Sequence, residues 1–229
     1  MKIKTALSIL AIATSLFAFE SKYLPGYDIQ TKCDQVLHKR AYDTCYSYKW
    51  KTPKLAVYKI DGEKLKSSSH YSRKGLTFKP DYSIKTRHRS YTRDYSRTGF
   101  DRGHLAENGS FNYDKVFQKE TFKTSNIAPE KPNLNRGVWA RIEKFSRIQA
   151  IRNKSVSVIT GVCGTLGHIK NSVNIPRYWY KIIFKPDGQQ IAFLAPNTNN
   201  IKRDAKMRYF LVPISKIEEQ CNLQFVKNN

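Results

Sequence analysis

Apolar residues along the chain fall into short runs that predict several core strands. The β-branched and aromatic run at residues 55–60 predicts the first of them, and residues 155–162 form a second run of the buried type. Residues 178–184 and 190–195 flank the turn-forming stretch Pro186-Asp187-Gly188-Gln189, which predicts a β-hairpin. A further short strand is predicted at residues 121–127, before Pro129.

A helical pattern follows at residues 134–152, which contain no proline. Large apolar residues recur there at every third position, as on one face of an amphipathic helix: Trp139, Ile142, Phe145, Ile148 and Ile151. Asn133 is the predicted N-cap of this helix, because its short polar side chain can accept from free backbone N–H groups. Residues 214–220 predict a second helix near the C-terminus.

Residues 61–98 have little apolar periodicity and many basic and aromatic residues, so we interpret them as a long surface excursion that could embrace a ligand. Each charge by itself is adequately explained as a solvated surface residue. As a group they favour a nucleic-acid surface, because aromatic faces can stack on bases. The residues concerned are Arg73, Arg87, Arg89, Arg93, Arg97, Tyr71, Tyr82, Tyr91 and Tyr95.

The N-terminus combines a cationic start, Met1-Lys2-Ile3-Lys4, with an apolar run that ends near the small residue Ala18. This pattern predicts a signal peptide at residues 1–18 and an exported, periplasmic or extracellular protein. An uncleaved membrane anchor is the alternative, but it needs roughly 20 apolar residues. The polar residues Glu20, Ser21 and Lys22 end the run earlier, so we expect no membrane insertion after cleavage.

The chain carries 41 Lys and Arg against 18 Asp and Glu, which gives a formal net charge of +23. Removal of Lys2 and Lys4 with the signal peptide lowers it only to +21, so the basicity belongs to the mature protein. Such a charge favours a polyanionic partner. Residues 19–229 show no linker or internal repeat, and their length predicts a single domain.

Four cysteines in an exported chain without a Cys-x-x-Cys pair predict disulfides. Three pairings are possible. We favour Cys33–Cys45 as a local clamp and Cys163–Cys221 as a tie from a core strand to the C-terminal segment. A structural zinc site is the alternative, although the spacings lack its usual close pairs.

Candidate chemistry is concentrated in the run Asp101-Arg102-Gly103-His104 and in Asn135, Glu143 and Arg147 further along. An imidazole can take a proton from water, amide and carboxylate oxygens can hold a hard cation, and guanidinium groups bind phosphate. Asn135, Glu143 and Arg147 recur at multiples of four, so a helix would place them on one side. The plain alternative is an ordinary helix with a Glu143–Arg147 ion pair and a structural histidine.

Three segments together resemble the DNA/RNA non-specific endonuclease family: residues 101–104, Ser125-Asn126-Ile127-Ala128-Pro129, and residues 133–143. The ordered set is more specific than any of its parts. The resemblance implies an α+β chain with the ββα-metal (His-Me finger) nuclease fold. In that fold a hairpin and a helix form the site against a central antiparallel sheet with flanking helices.

Carried over by position, the resemblance makes His104 the general base and Asn135 the direct ligand of Mg²⁺, with Mn²⁺ as a possible substitute. Glu143 belongs to the same metal site and would hold water there. Arg102 and Arg147 are the implied catalytic arginines that stabilise the phosphate. Three further residues are implied substrate-binding residues: Arg73, Asn126 and Arg136.

One residue departs from the family pattern, because Glu130 follows Pro129 where glutamine is expected. A carboxylate near bound phosphate would repel it, so we expect Glu130 to turn away or to adjust the metal's surroundings. The sequence has no His/Cys cluster at the implied metal site, which argues against zinc.

The sequence thus predicts a secreted, Mg²⁺-dependent endonuclease that hydrolyses both DNA and RNA with little sequence preference. The alternative is a non-catalytic exported nucleic-acid-binding protein with the same basic surface. A membrane-active cationic protein is a weaker alternative, because the charge is not concentrated in one amphipathic helix.

Overall fold

The computed structural model describes residues 18–228. The predicted signal peptide lies outside the described residues, apart from Ala18, which begins the first strand. The strands, in chain order, are β1 (Ala18–Glu20), β2 (Tyr27–Gln30), β3 (Gln35–His38), β4 (Asp43–Ser47), β5 (Thr52–Asp61), β6 (Asp101–His104), β7 (Ile127–Glu130), β8 (Ser155–Cys163), β9 (Tyr178–Phe184), β10 (Gln190–Pro196) and β11 (Gln224–Lys227). The α-helices are α1 (Gly62–Ser67), α2 (Lys115–Thr121), α3 (Ala140–Arg152) and α4 (Ile214–Cys221).

A six-stranded antiparallel sheet, in the order β10-β9-β8-β5-β4-β3, forms the centre of the fold. Its strands agree with the predictions at residues 55–60 and 155–162 and with the predicted hairpin, which is β9 and β10. Period-two alternation in β5 sends Leu55 and Val57 to one side of the sheet and Ala56, Tyr58 and Ile60 to the other. Both faces of β5 are buried at residues 55–58, and these four residues are accordingly all apolar or aromatic.

One face of the sheet, here called the anchor face, packs against α4 and a small sheet of β1, β2 and β11. The disulfides Cys33–Cys45 and Cys163–Cys221 belong to this face, and both confirm the favoured pairing. Cys163 ends β8 and Cys221 ends α4, so the second bond ties the C-terminal helix to the sheet. The predicted second helix is confirmed as α4.

The other face, here called the cleft face, packs against α3 and a two-stranded hairpin of β6 and β7. Trp139, just before α3, meets Trp179 of β9 edge to face, with ring centroids 5.6 Å apart. Ile142 is completely buried, whereas Ile151 at the end of α3 is 44% exposed. The predicted apolar face of the helix therefore holds for its first half.

Two local predictions are wrong. The strand predicted at residues 121–127 begins only at Ile127, because α2 extends to Thr121 and a 3₁₀ turn, Thr124–Asn126, follows it. The Asp114 side chain caps α2 by accepting from the N–H groups of Val116 and Phe117. Local capping thus outweighs strand propensity in this segment.

Asn133 is not an N-cap. Its side-chain nitrogen donates to the carbonyl of Asn199 at 2.8 Å, and no backbone N–H of the following turn is bound to it. The chain there enters a π-helical turn, Leu134–Trp139, before α3 begins. None of the helices in residues 18–228 is long and apolar enough to cross a membrane.

A candidate active site between a hairpin and a helix

A cleft of about 490 Å³ opens between β6, the loop after it and the start of α3. Seven of the eight predicted site residues line it: His104, Arg102, Arg147, Asn135, Glu143, Arg73 and Arg136. The tertiary structure therefore collects residues that are up to 74 positions apart in the sequence (73 to 147). This clustering is the first independent support for a shared chemical role.

Gly103 allows the hairpin to lie directly on the core. It pairs with Ala128 of β7, and a Cβ built on it would approach Glu130 Oε2 to 2.2 Å and the Trp179 ring to 2.8 Å. A side chain at this position would push β6 away from the sheet. Glycine between Arg102 and His104 is thus a packing requirement that brings both side chains to the cleft.

His104 is held by two aromatic rings. Its imidazole centroid lies 5.0 Å from that of Phe78 and 5.2 Å from that of Phe122. Nε2 is buried without a hydrogen-bond partner among the described residues, which leaves Nδ1 as the nitrogen available to the cleft. Burial, and then the nearby Arg73, lower the pKa of His104 to about 3, so the imidazole is a neutral proton acceptor at neutral pH.

Asp101 orients the amide of Asn135. The Asn135 Nδ2 donates to Asp101 Oδ2 at 2.9 Å, which turns the amide oxygen away from Asp101. Arg136 grips the same carboxylate through two bonds of 2.7 and 2.6 Å. Burial raises the pKa of Asp101, but its bonds with Arg136 and Asn135 outweigh this and lower it. A charged Asp101 therefore fixes Asn135 with its oxygen free to bind a cation.

The predicted continuous helix is interrupted at Gly137, whose backbone angles are φ −111° and ψ −113°. The backbone of Arg203 lies so close that a Cβ on Gly137 would meet Arg203 Cα at 2.9 Å. Asn135 therefore precedes the α-helix rather than belonging to it. It nevertheless shares the cleft with Glu143 and Arg147 of α3, as the four-residue spacing predicted.

Three arginines surround His104 in the cleft. Arg102 donates from Nη2 to the carbonyl of Thr92 at 2.9 Å, and its guanidinium lies 5.9 Å from the ring centroids of Phe78 and Tyr95. Arg73 lies 5.6 Å from the Phe122 ring centroid, and Arg147 enters from α3. This arrangement concentrates positive charge beside a proton acceptor, which suits a phosphate group.

Other arginines and tyrosines of the surface segment at residues 61–98 have structural roles. Arg89 is buried and donates to the carbonyls of Asp81 and Ile84, and the buried Tyr95 donates to the carbonyl of Ile127. These residues hold the excursion together and do not form a stacking surface. The nucleic-acid prediction for this segment is thus supported at Arg73 and wrong at Arg89 and Tyr95.

Sequence reasoning missed Glu107, which lines the cleft and is buried beneath Arg147. Its carboxylate lies 3.7 Å from Arg147 Nη1 and 3.3 Å from Lys181 Nζ, and it accepts from Tyr58 and Ser110. Burial raises its pKa, but Lys181 and Arg147 outweigh this and lower it, so Glu107 is charged. Its place three residues after His104 was the only signal in the sequence.

Lys181 was also missed, because a lysine inside the apolar run of β9 has no distinguishing pattern. It is completely buried on the cleft face, where its ammonium donates to Tyr58 and Thr160 as well as to Glu107. Glu107 therefore links Arg147 in the cleft to the centre of the sheet. We call Tyr58, Glu107, Thr160 and Lys181 the buried polar cluster.

Glu143 projects into the cleft from the first turn of α3. Burial, and then the neighbouring Glu107, raise its pKa to about 7, against the opposing influence of Lys181, Arg147 and Arg73. Because Glu107 disfavours the charged form of Glu143, a cation bound beside Glu143 would favour its ionised carboxylate.

Asn126, predicted to bind substrate, is completely buried and does not line the cleft. Its amide donates to the carbonyls of Ala106 and Thr121 and accepts from the N–H of Ala106. Two of these bonds hold Ala106, in the chain that follows His104, and the third holds the end of α2. The substrate-binding prediction is corrected: Asn126 positions the loop that carries Glu107.

Glu130, the departure from the family pattern, does turn away from the cleft. It is completely buried behind Gly103, and neither carboxylate oxygen has a hydrogen-bond partner among the described residues. Burial, and then Glu143 and Asp101, raise its pKa well above the usual value. Burial therefore favours the neutral form of Glu130, which does not repel phosphate.

The donor set suits a hard cation that keeps most of its water. Asn135 offers one amide oxygen and Glu143 one carboxylate, and residues 18–228 contain no group of three or more His, Cys, Asp or Glu arranged around a metal position. Such a set lacks the ligands that a zinc site requires. It fits Mg²⁺ or Mn²⁺, which are commonly bound by one or two protein oxygens.

Comparison with known proteins agrees with this geometry. The family model described as DNA/RNA non-specific endonuclease matches residues 22–229. The chain belongs to this family. Human mitochondrial endonuclease G is 30% identical over 213 residues, which cover 85% of this chain and 70% of that protein.

Nuclease C1 of Cunninghamella echinulata var. echinulata is 27% identical over 206 residues, covering 82% of this chain and 81% of that nuclease. Among solved structures, a chain of the EndoG/EndoGI complex superimposes with a TM-score of 0.76 and 28% identity, over 84% of this chain and 86% of that one. The α+β fold with the ββα-metal hairpin and helix is thereby confirmed. The family consists of nucleases. The cleft lies between the hairpin and the helix that define the family's fold.

Proposed function

We propose that this protein is an exported, Mg²⁺-dependent endonuclease that hydrolyses phosphodiester bonds of DNA and RNA with little sequence preference. The observation that carries the proposal is the convergence of His104, Asn135 and three arginines on one cleft. A base, a hard-cation ligand and phosphate-binding groups are the parts that phosphodiester hydrolysis needs.

His104 is the general base. Its neutral imidazole takes a proton from the attacking water through Nδ1, while Phe78 and Phe122 keep the ring in place. The water oxygen bonds to phosphorus and the bond to the 3′ oxygen breaks, which leaves a 5′ phosphate. Arg102 and Arg147 lie where they can stabilise the negative charge that develops on the phosphoryl oxygens.

Asn135 and Glu143 would hold the cation. When bound, Mg²⁺ would supply charge stabilisation at the phosphate and at the departing 3′ oxygen. Asp101 contributes by fixing the Asn135 amide through its 2.9 Å bond, and Arg136 keeps Asp101 charged. Arg136 and Arg73, which also line the cleft, would bind neighbouring substrate phosphates.

Weak sequence preference follows from the kind of contact that the cleft offers. Its arginine side chains would contact the phosphate backbone, and such contacts position a nucleic acid without reading its bases. Export is supported by the two disulfides, which oxidising compartments favour, and by the N-terminal pattern, which is typical of a signal peptide.

The test uses purified mature protein with supercoiled plasmid and with RNA, each with Mg²⁺, with Mn²⁺ or with chelator. We expect cleavage of both substrates only with metal. A His104→Ala variant should lose roughly 10²- to 10⁴-fold in kcat while its fold and its binding persist. The matched control is His168→Ala, which removes an exposed imidazole outside the cleft.

Two outcomes would overturn the proposal. A folded wild-type protein that binds nucleic acid but cuts neither substrate with any divalent metal would be the non-catalytic binding protein. Full activity of His104→Ala would remove the assigned base.

A further inference from the structure

A second depression, of about 350 Å³, lies beside the active-site cleft. Three lysines line it, Lys79, Lys119 and Lys123, and its floor includes Phe122 and Leu76. We call it the lysine pocket. The proposed mechanism does not use it.

Its lysines are not neutralised by carboxylates. Among the described residues, no Asp or Glu oxygen lies within 4.0 Å of the ammonium groups of these three lysines. Glu120, next to Lys119 in sequence, instead accepts from the N–H of Ala41. The lysine pocket thus carries three positive charges that lack a carboxylate partner in the protein.

The backbone holds two of these lysines side by side. The N–H of Lys79 donates to the carbonyl of Phe122 at 2.9 Å, and the N–H of Thr124 donates to the carbonyl of Lys79 at 3.0 Å. This short parallel bridge pairs Lys79 with Lys123. Like charges directly opposite each other on paired strands are destabilising, and an anion bound to both would relieve their repulsion.

The lysine pocket shares a wall with the cleft. Phe122, which lines the lysine pocket, is the ring that packs edge-on against His104, with centroids 5.2 Å apart. Arg73 lies over the same Phe122 ring and lines the cleft. Arg73 and the Phe122 ring therefore connect the cleft to the lysine pocket, so a polyanion bound in the cleft would meet the lysine pocket where it extends past Arg73.

We propose that the lysine pocket is a backbone-phosphate subsite, which binds the nucleic-acid strand on the His104 side of the cleft. This proposal rests on the proposed function and extends it to the residues that bind substrate away from the broken bond. Unpaired ammonium groups beside apolar surface suit a strand that offers phosphates and base faces together.

The test compares two triple variants that remove the same charge. Lys79→Ala/Lys119→Ala/Lys123→Ala empties the lysine pocket. Lys22→Ala/Lys59→Ala/Lys227→Ala removes three exposed lysines on the anchor side of the molecule. Thermal unfolding confirms that each variant is folded before binding is measured.

Binding of a labelled single-stranded oligonucleotide is measured in chelator over a range of salt concentrations, so that the readout does not depend on cleavage. We expect the lysine-pocket variant to bind at least tenfold more weakly at low salt. Its slope of log Kd against log salt should be shallower by about 2, at about 0.7 for each lost phosphate contact. In Mg²⁺, KM should rise while kcat at saturation stays unchanged, because none of the three lysines lines the cleft.

The lysine-pocket proposal fails if the two triple variants lose affinity and slope equally, since the effect would then be general charge. It also fails if the lysine-pocket variant binds the oligonucleotide like the wild type. A wild-type protein that never cuts would instead contradict the proposed function. The binding results would still test the lysine pocket, because they are measured without cleavage.

Discussion

The two faces of the central sheet are built from the same strands but bury different chemistry. The anchor face is closed by apolar side chains, a small sheet, α4 and two disulfides. The cleft face encloses a completely buried lysine, two buried glutamates and several polar atoms that have no hydrogen-bond partner within residues 18–228. Three of the ionisable groups that fold into the interior, Lys181, Glu107 and Glu130, thus lie next to the site.

The difference indicates how this fold supports a polar site on a small core. Burying charge is costly unless the charge is paired, so the cleft face is stable only where its groups hold one another. The anchor face contributes disulfides and apolar burial, whose stabilisation offsets the cost of burying charge on the cleft face. We therefore expect changes on the cleft face to affect stability and activity together, and changes on the anchor face to affect stability alone.

The largest effect should come from Lys181→Met, which leaves Glu107 buried without its main cationic partner. We expect a loss of about 3–5 kcal/mol in the free energy of unfolding at pH 7, measured with urea. Because Glu107 also holds Arg147, kcat should fall roughly ten- to a hundredfold.

The double variant Lys181→Met/Glu107→Leu separates the two effects. Removing both charges should restore most of the stability, because no uncompensated charge remains. Activity should stay low, because Arg147 has lost its carboxylate partner. Wild-type stability of the single variant would show that the buried polar cluster does not support this face.

Removal of either disulfide on the anchor face should cost a comparable free energy of unfolding but leave activity intact. The Cys163–Cys221 bond spans 58 residues and the Cys33–Cys45 bond spans 12, so the loss of chain restraint is larger for the first. We expect Cys163→Ser/Cys221→Ser to lose about 4 kcal/mol and Cys33→Ser/Cys45→Ser about 3 kcal/mol. Denaturant unfolding and kcat at 25 °C check this, and a lower kcat in a folded variant would contradict the separation of the two faces.

The smallest effect concerns Glu130→Gln. The pKa of Glu130 is raised in the folded state, so folded protein binds a proton that the unfolded chain releases above about pH 4.5. Wild-type stability should therefore fall as pH rises above that value, by up to about 1.4 kcal/mol per pH unit until Glu130 ionises. Glutamine matches the neutral acid in size and does not titrate.

The two proteins should be equally stable near pH 4, and the variant should become more stable between pH 5 and pH 6. Parallel urea titrations across this range measure the difference. A difference that does not change with pH would mean that Glu130 is charged in the folded protein.

Much of the sheet could be predicted from sequence because its signals are local. β5, β8 and the hairpin of β9 and β10 have dense apolar runs and a turn with Pro and Gly between two of them. The disulfide pairing also followed from separation along the chain. The predicted strand at residues 121–127 and the Asn133 cap were wrong, because side-chain contacts from Asp114 and Asn199 decide those turns.

The sequence by itself determined the class of chemistry, since His104, Asn135, Glu143 and the arginines are residue types that can supply a base, ligands of a hard cation and phosphate-binding groups. It also determined the basic charge and the main strands. Only the tertiary structure decided that Asn126 supports the loop, that Glu130 is buried and neutral, and that Glu107 joins Arg147 to Lys181. The physical reason is that the state of an ionisable or amide group depends on its burial and its partners, and both come from segments far apart in the chain.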